Sequence, residues 1–195
     1  KAIPEVEKIS FAGSLRRMKE VVGDVDILVS AQNSSKVMKA FTSFEEIRKV
    51  LGVGDTKASI RLEEGFDVDL RIVKPISFGA ALQYFTGSKA HNIKVRKIAI
   101  EKDFKLNEYG LFKNEEKLAG KTEEEIYHKL GLNFIPPELR EDRGEVEKAK
   151  EDDFSSLCNL KDIKGDLSLA IKNSDVFIGV SAKDLVSKEM VQSMR

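Results

Sequence analysis

The stretch at residues 13–29 constrains this chain more than any other, because a glycine-led turn there runs into a strand that opens on two carboxylates. A strand alternates its faces with a period of two, so Asp24 and Asp26 project to one side while Val25, Ile27 and Val29 project to the other, into a core. Paired carboxylates on one face repel each other, and a divalent cation relieves the repulsion. Magnesium suits such a site, taking one or two protein carboxylates together with waters and phosphate oxygens. Just upstream, Leu15, Met18, Val21 and Val22 recur at helical spacing and predict a helix entered at Gly13-Ser14. A helix start offers unpaired N–H donors, Gly13 allows close backbone approach, and Arg16 and Arg17 add positive charge, so the turn reads as a phosphate cradle. A capped helix leading to an exposed strand would use the same residue types, and this segment alone leaves both readings open.

The downstream sequence supplies a third carboxylate. Residues 56–62 and 66–73 read as two strands joined by Glu63-Glu64-Gly65, a turn that suits a hairpin. In the second strand Asp67, Asp69 and Arg71 face one way, and Val68, Leu70 and Ile72 the other. If this hairpin lies beside the Asp24 strand, Asp69 completes a three-carboxylate site able to bridge two metals about 3.5–4 Å apart; Asp67 is expected to be solvated. Gly-Ser followed by Asp-x-Asp resembles the nucleotidyltransferase superfamily, whose members bind two magnesium ions and a nucleoside triphosphate with such residues.

Composition sets wide bounds. The 195 residues suffice for one ordinary domain or two small ones, and 41% hydrophobic content supports a core. The apolar runs are too short to span a bilayer and no charged-then-apolar leader is present, so the expectation is a soluble cytoplasmic protein without a membrane partner. The single cysteine, Cys158, excludes an intrachain disulfide and a thiolate metal cluster. An opening at Lys1 suggests a piece of a longer chain. Formal charge is zero, but it is segregated: residues 89–105 hold six basic and two acidic side chains, residues 138–153 four basic and eight acidic. A locally basic face is what a phosphate backbone responds to.

Elsewhere, residues 37–41 and 44–51 read as helical, the second from Phe44, Ile47, Val50 and Leu51 with Ser43 as N-cap. Pro75 ends the second strand. Helices follow at 77–84 and about 89–102, then a short hairpin with strands at 105–106 and 111–112. A capping box at Thr122 starts a helix that runs to Gly131. His91 and His128 are both expected at the surface.

Four blocks in order, Asp67-Val-Asp-Leu-Arg71, the run from Phe78 to Asn92, the run from Leu106 to Phe112, and the run from Ile135 to Arg143, resemble family X DNA polymerase in its bacterial and archaeal form. The resemblance covers about residues 1–150. It implies an α+β fold: a nucleotidyltransferase palm of mixed sheet and helices over 1–74, and a mainly helical thumb-type subdomain with a small hairpin over 75–150. It further implies Asp24, Asp26 and Asp69 as ligands of two Mg²⁺ ions, with Mn²⁺ as a substitute, and Asp69 near the primer 3′ oxygen. Gly13, Ser14, Arg17 and Gly23 would meet the triphosphate. Tyr84, Phe85 and Gly87 would pack on the sugar of the incoming dNTP, Asn92 would reach its base edge, and Arg96 the template strand. Tyr84 and Phe85 would serve equally well as plain core.

After residue 150 the pattern changes. The family's metal-dependent phosphoesterase domain opens on Asp-x-Lys-Gly-Asp-Leu-His-x-His, whereas this chain reads Asp162-Ile-Lys-Gly-Asp-Leu167 and then Ser168-Leu-Ala170, without histidine. From about residue 163 it resembles a piece of the malic enzyme dinucleotide-binding domain, with a strand at 176–180 between two helices. No Gly-x-Gly-x-x-Gly turn accompanies it, so no NAD binding is expected. The linker and tail at 151–195 read as a join to an unrelated sequence. The expected function is template-directed transfer from dNTP to a DNA 3′ end. An inert chimera and transfer to a non-DNA acceptor are the alternatives, and an NAD-linked malic oxidoreductase rests on the tail alone.

Overall fold

A computed structural model describes residues 3–150 and Gln192. Apart from Gln192, the linker and tail expected at 151–195, with the strand at 176–180, lie outside the described residues. Five strands, β1 (Val6–Phe11), β2 (Asp24–Ala31), β3 (Ile47–Val53), β4 (Lys57–Leu62) and β5 (Asp67–Val73), form one mixed sheet in the order β1-β2-β5-β4-β3. The expected hairpin is β4–β5, and its second strand lies parallel against β2. Helix α2 (Ser34–Phe41) is capped by Asn33, whose side-chain oxygen accepts the Ser35 N–H at 2.9 Å. It lays Val37, Met38 and Phe41 on Val29, Val68, Leu70 and Ile72. On the opposite face Leu28 packs on Phe78 and Ala81 of α3 (Phe78–Thr86). The C-terminal half of β2 is therefore covered on both faces, and only its opening residues, including Asp24 and Asp26, stay accessible.

Residues 44–51, read as a helix from their spacing, instead enter the edge strand β3. Ile47, Val50 and Val53 stand opposite Leu62, Ile60 and Ala58, with irregularities between Ile47 and Lys49 and between Val50 and Gly52. Each irregularity inserts an extra residue, as a β-bulge does. The apolar side chains consequently recur every three residues rather than every two, which imitates a helical face. The helix expected after Gly13 is also shorter, a single turn α1 (Gly13–Arg16). Met18 at φ 56° breaks it, and Met18 and Val21 are 75% and 82% exposed. A left-handed non-glycine residue costs roughly 1–2 kcal/mol; the ion pairs that Arg16 and Arg17 make with distant residues, described below, draw the chain out of the helix.

Beyond a 3₁₀ turn at Pro75–Ser77 come α3 and α4 (Lys89–Glu101). The small sheet holds β6 (Lys105–Asn107) and β7 (Gly110–Lys113), the expected hairpin, plus a third strand β8 (Glu116–Ala119). Helix α5 (Glu123–Lys129) begins at Thr122, whose hydroxyl accepts the Glu125 N–H, and α6 (Glu145–Lys148) follows a second 3₁₀ turn at Pro137–Leu139. A second core unites Val95, Ala99, Leu111, Ile126, Leu130, Ile135 and Val146. Gly79 is required at the contact of α3 with α5, since a Cβ there would lie 2.2 Å from the Thr122 carbonyl carbon. Among the described residues no helix is long and apolar enough to cross a membrane.

His128 is exposed as expected, but His91 is fully buried. Its Nδ1 lies 2.8 Å from Glu145 Oε1 and its Nε2 2.9 Å from the Tyr127 hydroxyl. Burial holds the imidazole pKa below its ordinary value despite the Glu145 bond. Burial also pushes the Glu145 carboxyl up, yet His91 and backbone N–H groups draw it below the usual range on balance. The neutral ring thus donates from Nδ1 to an ionised carboxylate and accepts the tyrosine O–H at Nε2. Because the folded pKa of His91 is depressed, its contribution to stability is present above the unfolded value of 6.5 and is lost as pH falls through the folded value. The urea midpoint should accordingly drop between about pH 7.5 and about pH 5.5, a window where histidine is the group that changes charge. In His91→Gln that drop should vanish; an unchanged slope would assign it elsewhere.

Candidate active site

The parallel pairing of β2 with β5 sets Asp24 opposite Asp67 and Asp26 opposite Asp69. Neighbouring strands lie about 4.8 Å apart, a span that side-chain rotation of Asp26 and Asp69 is able to bridge. Gly13, at φ 58°, packs directly on Asp26, since a Cβ there would lie 2.0 Å from Asp26 Oδ2. The Ala12 N–H donates to the Asp26 carbonyl at 2.9 Å, which fixes α1 beside the strand. Burial raises the Asp26 pKa, with the charges of Asp24 and Asp69 adding to it and Arg71 and Lys57 opposing. Asp69 Oδ2 pairs with Lys57 Nζ at 3.1 Å. Asp67 is only partly exposed and forms a two-pronged pair with Arg61 at 2.6 and 2.7 Å, which holds its carboxyl below the usual range.

Among the described residues no three His, Cys, Asp or Glu side chains already converge as a metal cage. The donor set still fits magnesium, which needs few protein carboxylates when phosphate oxygens and water complete its shell. Burial first and the charges of Asp24 and Asp69 second raise the Asp26 pKa, and a dication beside the carboxylate would offset both.

One turn away, Arg17 donates from Nη1 to the Thr86 carbonyl at 2.6 Å and from Nε to Glu141 at 2.8 Å. Lys19 Nζ stands 3.6 Å from the same Glu141 oxygen. Ser14 sits part-exposed on α1, and Gly23 lies in open space immediately before Asp24. Because α1 is one turn long, its dipole is small, and the positive character here comes from side chains.

Tyr84 and Phe85 meet edge to face at 5.0 Å, and the Arg71 guanidinium lies 4.3 Å from the Phe85 ring centre. Phe85 also packs on the Leu28 cluster, so the ring serves the core whatever else it touches. Gly87, at φ 70°, leaves room for Arg17, whose Nη1 would lie 3.3 Å from an added Cβ. Asn92 is nearly buried: its Nδ2 donates to the Tyr84 carbonyl at 2.7 Å and its Oδ1 accepts from Gln83 at 2.7 Å, tying α4 to α3. Arg96 lies one turn on, part-exposed, with Nε 3.3 Å from the Asn92 carbonyl. The segregated charge is partly self-neutralised, since Lys94 pairs with Asp142 at 2.7 Å and Glu147 at 3.1 Å, whereas Lys89, Lys97, Lys102 and Lys105 remain exposed.

The sequence reading gave no partner to Arg16 and no role to Glu123 or Arg140, yet these three form the join between α1 and the second core. Arg16 clasps Glu123 through Nη1 at 3.0 Å and Nη2 at 2.6 Å, and Arg140 reaches the same carboxylate at 2.6 Å. The acidic cluster after Thr122 was the available signal. It reads as helix capping, and Glu125 does cap, accepting the Gly120 and Lys121 N–H groups, while Glu123 turns inward.

Comparison with known proteins gives this geometry a lineage. Residues 81–141 match the DNA polymerase beta thumb model. The chain is 40% identical over 172 residues to the DNA polymerase/3′-5′ exonuclease PolX of Bacillus subtilis, covering 86% of this chain and 30% of that protein. It is 30% identical over 143 residues to the repair DNA polymerase X of African swine fever virus, covering 69% of this chain and 82% of the viral protein. The fold matches Leishmania infantum polymerase beta, solved as a ternary P/T complex, with a TM-score of 0.60 at 24% identity over 68% of this chain and 67% of that one. A mixed sheet with aspartates in register, followed by a polymerase beta thumb and matched along most of a repair polymerase, has one source: the chain belongs to family X of the DNA polymerases.

Proposed function

We propose that the protein transfers a nucleotide from a dNTP to the 3′ end of a template-paired DNA primer, with divalent cations held by Asp24, Asp26 and Asp69. The observation that carries this reading is the register of Asp26 against Asp69, with Gly13 pressed onto Asp26. Mg²⁺, or Mn²⁺ in its place, would supply charge neutralisation and an acidified 3′ hydroxyl. The rest falls to the chain's own residues. Asp69, released from Lys57, accepts the 3′ hydroxyl proton as the oxygen bonds to the α-phosphorus and the bond to pyrophosphate breaks. Ser14, Arg17 and the backbone at Gly13 and Gly23 hold the β- and γ-phosphates. Tyr84, Phe85 and Gly87 form the wall beside the sugar, and Asn92 keeps a second amide hydrogen to offer a base edge. In this reading residues 1–74 carry the chemistry and 75–150 grip nucleotide and template.

Primer extension on a gapped duplex, with and without a chelator, tests the proposal directly. Extension that needs template and metal supports it, and nucleotide addition indifferent to both would overturn it. Arg96→Ala should weaken primer–template binding by roughly three- to tenfold, the scale of one lost contact to nucleic acid, and leave dNTP affinity without DNA unchanged. Equal loss in both assays would move Arg96 out of the template path.

A further inference from the structure

Arg17, at the candidate phosphate site, and Lys19, two residues on, converge on one oxygen of one carboxylate, Glu141, at 2.8 and 3.6 Å. That carboxylate lies 124 residues further along the chain. The backbone carrying it is firmly held, because the neighbouring Arg140 is fully buried, bonds Glu123 and accepts the Ser88 N–H through its carbonyl. The Thr86 carbonyl takes a second Arg17 N–H, which fixes the plane of the guanidinium. We infer that Glu141 is an internal counter-anion of the phosphate site, standing where the charge of an incoming triphosphate is felt and setting nucleotide affinity by competing for Arg17 and Lys19. This rests on the proposed role of Arg17.

Two effects follow from the geometry, with opposite signs. As a hydrogen-bond acceptor Glu141 orients the Arg17 side chain, and as a charge it opposes any polyanion approaching the same nitrogen atoms. Glutamine separates them, because its amide oxygen still accepts the Nε–H while the negative charge is gone. Glu141 and Arg17 are 20% and 14% exposed, so the pair is partly desolvated and the charge is felt more strongly than at an open surface. Without nucleotide the contact gives both cations a partner. With nucleotide it makes binding a displacement, which favours ligands carrying several phosphates over those carrying one.

The test is calorimetry without DNA, titrating dATP and, separately, inorganic tripolyphosphate into the protein and its Glu141→Gln, Arg17→Ala and doubly substituted forms. Glu141→Gln should tighten both ligands by the same factor, roughly five- to tenfold for one unit charge removed beside the phosphates. Arg17→Ala should weaken both, and in its absence the gain from Glu141→Gln should be smaller, because only Lys19 and the bare charge then connect the carboxylate to the ligand. If Arg17→Ala weakens binding but Glu141→Gln leaves it equal or weaker, Glu141 is not a competitor, and the counter-anion role fails while the phosphate site stands. If Arg17→Ala changes nothing, the phosphate role of Arg17 fails, and this inference with it.

Discussion

Asp26→Asn should abolish metal-dependent primer extension while leaving the protein folded and slightly more stable. The amide keeps the shape of the side chain under Gly13, so the close approach of α1 to β2 survives. What it loses is charge on the residue central to the carboxylate register, flanked by Asp24 on its own strand and Asp69 on the next. Losing several kcal/mol of charge stabilisation in the transition state corresponds to a rate loss on the order of 10³-fold. The stability gain has its own cause. The Asp26 pKa is raised by burial and by its two acidic neighbours, so the fold disfavours the ionised form, and a neutral isostere removes that penalty at neutral pH. A thermal melt separates catalysis from folding. An inactive variant melting at or above the parent temperature supports the assignment, whereas an inactive variant that melts well below it would place Asp26 among structural residues.

The parts of the fold legible in the sequence are those whose determinants are local. Helices α3 and α4 answer to the runs read as helical at 77–84 and about 89–102, the cap at Thr122 follows from its own turn, and the β4–β5 hairpin from alternation around Gly65. The carboxylate positions were legible for the same reason, since period-two alternation tells which residues of β2 and β5 share a face. β3 was not, because its bulges convert a strand's alternation into a spacing of three. Nor was the end of α1, whose turn is decided by residues as far away as Glu123 and Glu141. His91 is the sharpest case. It looks like a polar residue on a basic helix, and its two partners lie 36 and 54 residues away on α5 and α6. No spacing rule reaches that far, and the same holds for the Lys94 pairs that spend part of the basic face on the acidic stretch.

The largest stability effect should come from Glu123→Gln. Glu123 is 4% exposed and receives two guanidiniums, Arg16 in a fork and the fully buried Arg140. Burial pushes its carboxyl up, but the two arginines more than offset this and hold it below the usual range, so it is ionised at neutral pH. Arg140 has other anchors in the Ile135 carbonyl, at 3.0 and 2.8 Å, and in the rings of Tyr127 and Phe134, but none of these carries charge. Neutralising Glu123 leaves two close cations, one without access to water, and breaking a buried pair in this way costs about 3–5 kcal/mol. That is a large fraction of a domain's margin. The loss should also reach the candidate site, since Arg16 is the residue through which α1 is tied to α5. Replacing the whole set, with Arg16→Met, Glu123→Leu and Arg140→Met together, removes the uncompensated charge and should restore most of the stability. It cannot restore the fork that orients α1, so nucleotide affinity should stay low in the triple variant after the urea midpoint has recovered. If affinity and stability return together, the cluster serves folding alone, and the position of Gly13 beside Asp26 is fixed by the backbone contact at Ala12.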